Sequence, residues 1–221
     1  MKSIKYYFGK IKIMDFHDYL NHLQCLFAKI KGFIFYNFIF GKFGKGSWLK
    51  KPDQIFGATQ IFIDENVRIE KGAVLYAVKK YAENKYNGTI KIGKQTFINR
   101  YFNASSAIGI YIGEGVAFGS NVFLCDFDHN YKDPLKSRID TPLTTKGPIN
   151  IHDYCWLGAN VYVTSGVTLG KGCVVGANSV VTSSFPPYTV IAGIPARAIK
   201  RYDFSSNQWV RISEAESTNE C

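Results

Sequence analysis

The chain has few cysteines, few histidines and no long apolar run. Its five cysteines, at 25, 125, 155, 173 and 221, form no CxxC pair. That excludes a zinc ribbon or a disulfide-stapled scaffold and makes a reducing cytoplasm the expected compartment. The four histidines, at 17, 22, 129 and 152, are too scattered to supply a catalytic zinc site, which needs several imidazoles and an open position. No metal is expected. The most apolar stretch, residues 33–40, falls far short of the ~20 residues that cross a bilayer, and no apolar core with a cleavage site follows the first lysines. Neither a transmembrane helix nor a signal peptide is expected.

Acidic residues are scarce at one end. Residues 1–51 hold ten lysines, no arginine, and only Asp15 and Asp18 as acids, which accounts for most of the net charge of +10. The remainder is almost balanced, so no basic stripe marks it as a nucleic-acid binder. The N-terminal segment suits an anionic surface, and a membrane face fits best.

What is present is a beat of six. An aliphatic residue followed by a small or polar one recurs at Leu157-Gly158, Val163-Thr164, Leu169-Gly170, Val175-Gly176 and Val181-Thr182. Helices repeat at 3.6 and half-buried strands at 2, so a period of six describes a solenoid with flat faces one hexapeptide long. The aliphatic residue points into a narrow prism. The residue four later, here Cys155, Val161, Val167, Cys173 and Ser179, sits near a corner and is small or β-branched. Glycine and asparagine near the corners supply left-handed backbone.

The same spacing links Ile63, Ile69 and Leu75, lapses over a Tyr/Lys-rich stretch at 76–89, and resumes at Ile92 and Ile98. It continues at Ile112, Phe118 and Leu124, fails from Asp126 to Pro148, and restarts at Ile151. The second lapse contains His129 and three prolines and reads as a loop expelled from the solenoid. Upstream, Leu20, Leu23, Phe27, Ile30, Ile34 and Phe38 recur at helical spacing, so residues 16–43 are expected to be helical, capping the solenoid, lying on a membrane, or both. The expected organisation is a basic, aromatic helical segment at 1–50, a solenoid at 51–202 with a loop excursion at 126–148, and a frayed tail at 203–221 without apolar period.

The stretches DFDHNYKDP and KGPINIHDYCWLGANVYVTSGVTLGKGCVVGANSVVTSSFPPYTVIAGIPARAIKRYD resemble the hexapeptide-repeat acyltransferases, above all the sugar and polysaccharide O-acetyltransferases. The resemblance covers about residues 55–202. It implies an all-β solenoid, a left-handed parallel β-helix of roughly five coils, a handedness that periodicity does not reveal. It further implies acetyl transfer from acetyl-coenzyme A by direct attack, a homotrimer with sites between subunits, and a sugar or lipid-linked saccharide acceptor.

A sugar hydroxyl needs a base that titrates near neutrality, and histidine suits this best. The resemblance places that role on His129, with Asp126, Asp128 or a backbone carbonyl left open as the group that orients its ring. It places an acceptor-positioning asparagine at Asn99, with Asn103 as competitor and a plain corner asparagine as the alternative. The acetyl-coenzyme A groove falls on Trp156, Ala159 and Ala177, with Trp156 as plain packing the alternative. Arg197 and Lys200, with Arg201, fall near the nucleotide phosphates. One departure is Ser183, where several relatives carry lysine, which puts one phosphate contact in doubt. Other readings are acetylation of an amino sugar's nitrogen or of a small free sugar, antibiotic or amino acid; a zinc carbonic anhydrase, whose histidine cluster is lacking; and a scaffold without activity.

Overall fold

The structure is a computed structural model that describes residues 16–212. The first fifteen residues of the basic segment and the last nine of the tail, Cys221 included, lie outside it. Each hexapeptide forms a strand of two to four residues and a turn, because the turns recur too soon for longer strands. Strands six residues apart in sequence lie on different faces. Each pairs in parallel with its counterpart one coil away, as Ile110–Ile112 does with both Ile90–Ile92 and Ile149–Ile151.

Three faces result, here A, B and C. Face A carries six strands from Lys42–Phe43 to Thr168–Leu169, and face C six from Gln54–Phe56 to Val180–Val181. Face B begins at Trp48–Leu49 and ends in an antiparallel extension. There are thus six complete coils rather than roughly five. The additional coil, residues 42–56, is built on Phe43, Leu49 and Ile55, which also keep the six-residue spacing. The solenoid therefore starts at Lys42, inside the segment read as helix and ahead of residue 51.

The interior is as narrow as the repeat requires. Leu157, Val163, Leu169, Val175 and Val181 are each at most 1% exposed, as are Cys155, Val161, Val167, Cys173 and Ser179. Each large aliphatic so buried contributes roughly 1.5–3 kcal/mol before entropy is counted. Successive coils approach closely at several glycines. A Cβ on Gly158 would stand 2.6 Å from the Ala177 nitrogen, so no larger residue fits there without moving backbone. At the corner between faces B and C, Asn121, Asn160 and Asn178 all take φ of 59°. Their amides form a ladder, Asn121 Nδ2 to Asn160 Oδ1 at 3.0 Å and Asn160 Nδ2 to Asn178 Oδ1 at 2.8 Å.

Helix α1 (Phe16–Lys31) continues through a π-helical turn at Gly32–Tyr36 to Asn37–Ile39, and then gives way to the first strand. It packs on Trp48–Leu49. Ala28, Tyr36 and Phe40 make the buried contacts, whereas Phe27, Ile34 and Phe38 of the expected apolar stripe are 67%, 62% and 85% exposed. At the other end Thr189–Gly193, Ala196–Asp203 and Gln208–Arg211 form an antiparallel extension of face B. The tail therefore runs through a turn at 204–207 into a strand ending at Arg211 rather than fraying from Phe204.

Candidate active site

Two excursions leave the corner between faces C and A. Residues 77–89 follow the face C strand Val74–Ala77 and fold into a hairpin in which Lys80–Tyr81 pairs with Asn84–Lys85. Residues 126–148 follow Phe123–Cys125, also on face C, and their ends pair as Asp128–His129 with Leu143–Thr144. Being on one corner two coils apart, the excursions meet. Val78, Ala107 and Leu143 form a small second core, against which Tyr76, Tyr81, Tyr86 and Phe127 pack. The Tyr86 hydroxyl accepts the Leu143 N–H at 2.8 Å.

His129 sits exposed where the excursions meet. Its Nδ1 lies 3.1 Å from the Tyr81 hydroxyl, and the two rings meet edge to face with centroids 5.5 Å apart. Tyr81 is thus the ring's hydrogen-bond partner, which none of the alternatives drawn from sequence included. Asp126 is fully buried and otherwise engaged. Its carboxylate accepts from Ser106 Oγ at 2.7 Å, from the Ala107 and Gly109 N–H groups at 2.6 Å each, and from Ile108 N–H at 3.1 Å. It clamps the preceding turn on the same corner. Asp128 is exposed and lines a cavity of about 510 Å³ with Asn130, Tyr131, Thr144, Lys146 and others. His152 is exposed on the outer surface.

Asn99 stands at the B/C corner, not at the corner of His129. Its Oδ1 accepts the Arg100 N–H at 2.8 Å, a local turn contact. Asn103 opens a face C strand paired with Phe123–Cys125, the strand that leads to His129, and its Oδ1 accepts from Ser105 Oγ at 2.9 Å.

The residues expected at the cofactor groove gather on face B and the B/C corner. Trp156 is 56% exposed. The ladder sets it level with Val174, Val190 and Lys200 in turn, so indole and ammonium share one row of the outer face. Ala159 and Ala177 occupy the B/C corner in successive coils, where the Asn178 N–H donates to the Ala159 carbonyl at 2.9 Å. Arg197 pairs with Ala192, which lies over Gly176 beside Ala177. Small side chains, an exposed indole and two cations within this strip suit a long anionic thioester held largely through main chain. Within one chain this strip and His129 lie at opposite edges of face C.

Among the described residues no group of three potential ligands could hold a metal ion, and no helix is long and apolar enough to cross a membrane. The four described cysteines are free thiols, and burial pushes the Cys125 thiol up to about 11.

Residues 148–183 match the bacterial transferase hexapeptide (six repeats). The chain is 38% identical over 128 residues to WbbJ of Escherichia coli K12, a protein named for O-acetyl transfer in lipopolysaccharide biosynthesis; the match spans 55% of this chain and 65% of that one. Other curated relatives are matched over about half of their length. A maltose O-acetyltransferase of Clostridium difficile 630 superposes with a TM-score of 0.51 at 25% identity, over 85% of this chain and 90% of that one. A hexapeptide-repeat acetyltransferase of Vibrio cholerae solved with acetyl-coenzyme A gives 0.54 at 24% identity, over 86% and 91%. Repeat, three-faced coil and these likenesses identify the chain as a hexapeptide-repeat protein with the left-handed parallel β-helix of the acyltransferases that share the repeat.

Proposed function

We propose that the chain transfers the acetyl group of acetyl-coenzyme A to a sugar hydroxyl of a surface polysaccharide or its precursor, with His129 as general base. The contact between Tyr81 and His129 Nδ1 is the observation that carries the reading. With Nδ1–H donating to the tyrosine oxygen, Nε2 keeps its lone pair for the acceptor hydroxyl. Nε2 takes the hydroxyl proton as the oxygen bonds to the thioester carbonyl carbon. The C–S bond then breaks, and the imidazolium returns the proton to the departing thiolate, giving ester and free thiol. Tyr81 is a positioning residue in this scheme. Trp156, Ala159 and Ala177 line the path of the pantetheine arm, and Arg197 and Lys200 face the phosphates. Asn103, on the face that leads to His129, suits the acceptor better than Asn99.

Opposite edges of face C separate base and donor strip in one chain, which supports a homotrimer whose sites join His129 of one subunit to the strip of the next. The N-terminal segment would hold the assembly against a membrane. The test is an acceptor screen with acetyl-coenzyme A, following released thiol for sugars, amino sugars and saccharide fragments, with His129→Ala as control. Wild-type turnover by His129→Ala would overturn the base assignment, and preference for an amino group would overturn the O-acetyl reading.

A further inference from the structure

The exposed ridge of the N-terminal helical segment borders a basic cavity that the transfer chemistry does not use. The B/C corner carries one residue per coil that recurs in the backbone ladder. Gly72, Tyr101, Asn121, Asn160 and Asn178 donate N–H groups to the carbonyls of Lys51, Lys71, Arg100, Ser120 and Ala159. The corner is therefore cationic in its first three coils and small in its last three. Where helix α1 crosses the cationic part, a cavity of about 670 Å³ opens, lined by Lys31, Lys50, Lys51, Lys71 and Arg100 together with Phe27 and Leu49. Glu70 is the only carboxylate among the described lining residues, and it is paired with Lys50 at 3.0 Å. Four cations thus converge on one space without an ion-pair partner among the described residues.

Like charges do not gather around a cavity without cost, and a multiply charged oxyanion is the ligand that relieves it. The rim shows where that anion comes from. Phe27 belongs both to the cavity and to the apolar ridge with Ile34 and Phe38, all more than 60% exposed. A free phosphate has no use for such a ridge. A lipid does: the side chains enter the acyl boundary while the cations meet the headgroup.

We propose that this cavity binds the phosphate of a membrane lipid, with the ridge of Phe27, Ile34 and Phe38 seated in the bilayer surface. The inference rests on the membrane contact proposed above and is independent of the transfer chemistry. A lipid-linked saccharide held by its phosphate at Arg100 would reach the donor corner at Ala159 across two coil spacings, roughly 10 Å.

The test is co-sedimentation of the full chain with phosphatidylcholine vesicles, with and without phosphatidylglycerol. Binding is expected only to the anionic vesicles. It should fall about a hundredfold in Lys51→Gln/Lys71→Gln/Arg100→Gln, at roughly fivefold per cation near an anionic surface. The charge-retaining Lys51→Arg/Lys71→Arg/Arg100→Lys should keep binding, which guards against a folding defect. Neutralising the exposed Lys132, Lys146 and Lys171, which lie outside the cavity, should cost less than threefold if the site rather than net charge is read. Equal losses in both neutralised triples, or undiminished binding in the first, would overturn the cavity as the site. No vesicle binding by the wild type would overturn the membrane contact itself. Calorimetric binding of inorganic pyrophosphate by a protein that ignores vesicles would overturn the lipid source.

Discussion

Replacing Tyr81 with phenylalanine isolates a single atom of the proposed site. The phenyl ring keeps the edge-to-face packing on His129 at 5.5 Å between centroids, while the oxygen 3.1 Å from Nδ1 is lost. A neutral hydrogen bond of this kind is worth about 0.5–1.5 kcal/mol net, less than a buried one because water can replace it. If the bond serves to fix the ring and its tautomer in the transition state, kcat should fall by about fivefold, with about thirteenfold as the ceiling. His129→Ala should cost about 10²–10⁴. KM for acetyl-coenzyme A should stay within about twofold, since Tyr81 contacts the His129 ring and is not one of the residues assigned to the coenzyme. A packing role predicts a different result, namely lower melting temperature with kcat intact. Nitrogen NMR of labelled histidine separates the two directly: His129 should be held as the Nδ1–H tautomer in the wild type and should populate both tautomers in Tyr81→Phe. Unchanged kcat with an unchanged tautomer ratio would refute the positioning role.

Three further outcomes follow from the packing. Asp126→Ala removes the acceptor of three backbone N–H groups and one hydroxyl in a fully buried site, and should destabilise by about 3 kcal/mol or more, read by chemical denaturation. Gly158→Ala forces a Cβ to within 2.6 Å of the Ala177 backbone nitrogen; a loss of about 1–3 kcal/mol is expected, with weakened acetyl-coenzyme A affinity because the same corner carries the donor strip. Burial holds the Cys125 thiol up near 11 against an ordinary value of 9.0. The unfolded chain therefore ionises first, and stability should decline as pH rises from about 9 to about 11. Cys125→Ala should make that slope shallower without abolishing it, because Cys155 and Tyr162 are also held above their ordinary values; an unchanged slope would place its origin elsewhere.

The six-residue beat made most of the solenoid legible, because a residue buried in so narrow a prism has few acceptable identities. Even the missed first coil keeps the beat at Phe43, Leu49 and Ile55; the helical pattern running into residue 43 obscured it. The helix itself was legible, but its face was not. Apolar periodicity marks a stripe without saying what covers it, and here the coil end is met by Ala28, Tyr36 and Phe40 while the stronger stripe faces out. His129 stood out as the histidine in a family-like motif, yet its partner did not, since Tyr81 lies 48 positions away. A signal did exist: counting hexapeptides in threes sets both lapses of the beat at the corner that follows face C.

By itself the sequence determined a solenoid, its interior, the places where it is interrupted, and the resemblance that points to acyl transfer. Only the tertiary structure decided which interruptions touch, that Asp126 is a clamp rather than a partner of the imidazole, and that cations of three separate coils converge beneath one helix. The physical reason is the repeat's own geometry. A six-residue period constrains what lies inside each coil but leaves the outward residues free. Only stacking coils about 4.8 Å apart turns those residues, eighteen or more positions apart in sequence, into a site.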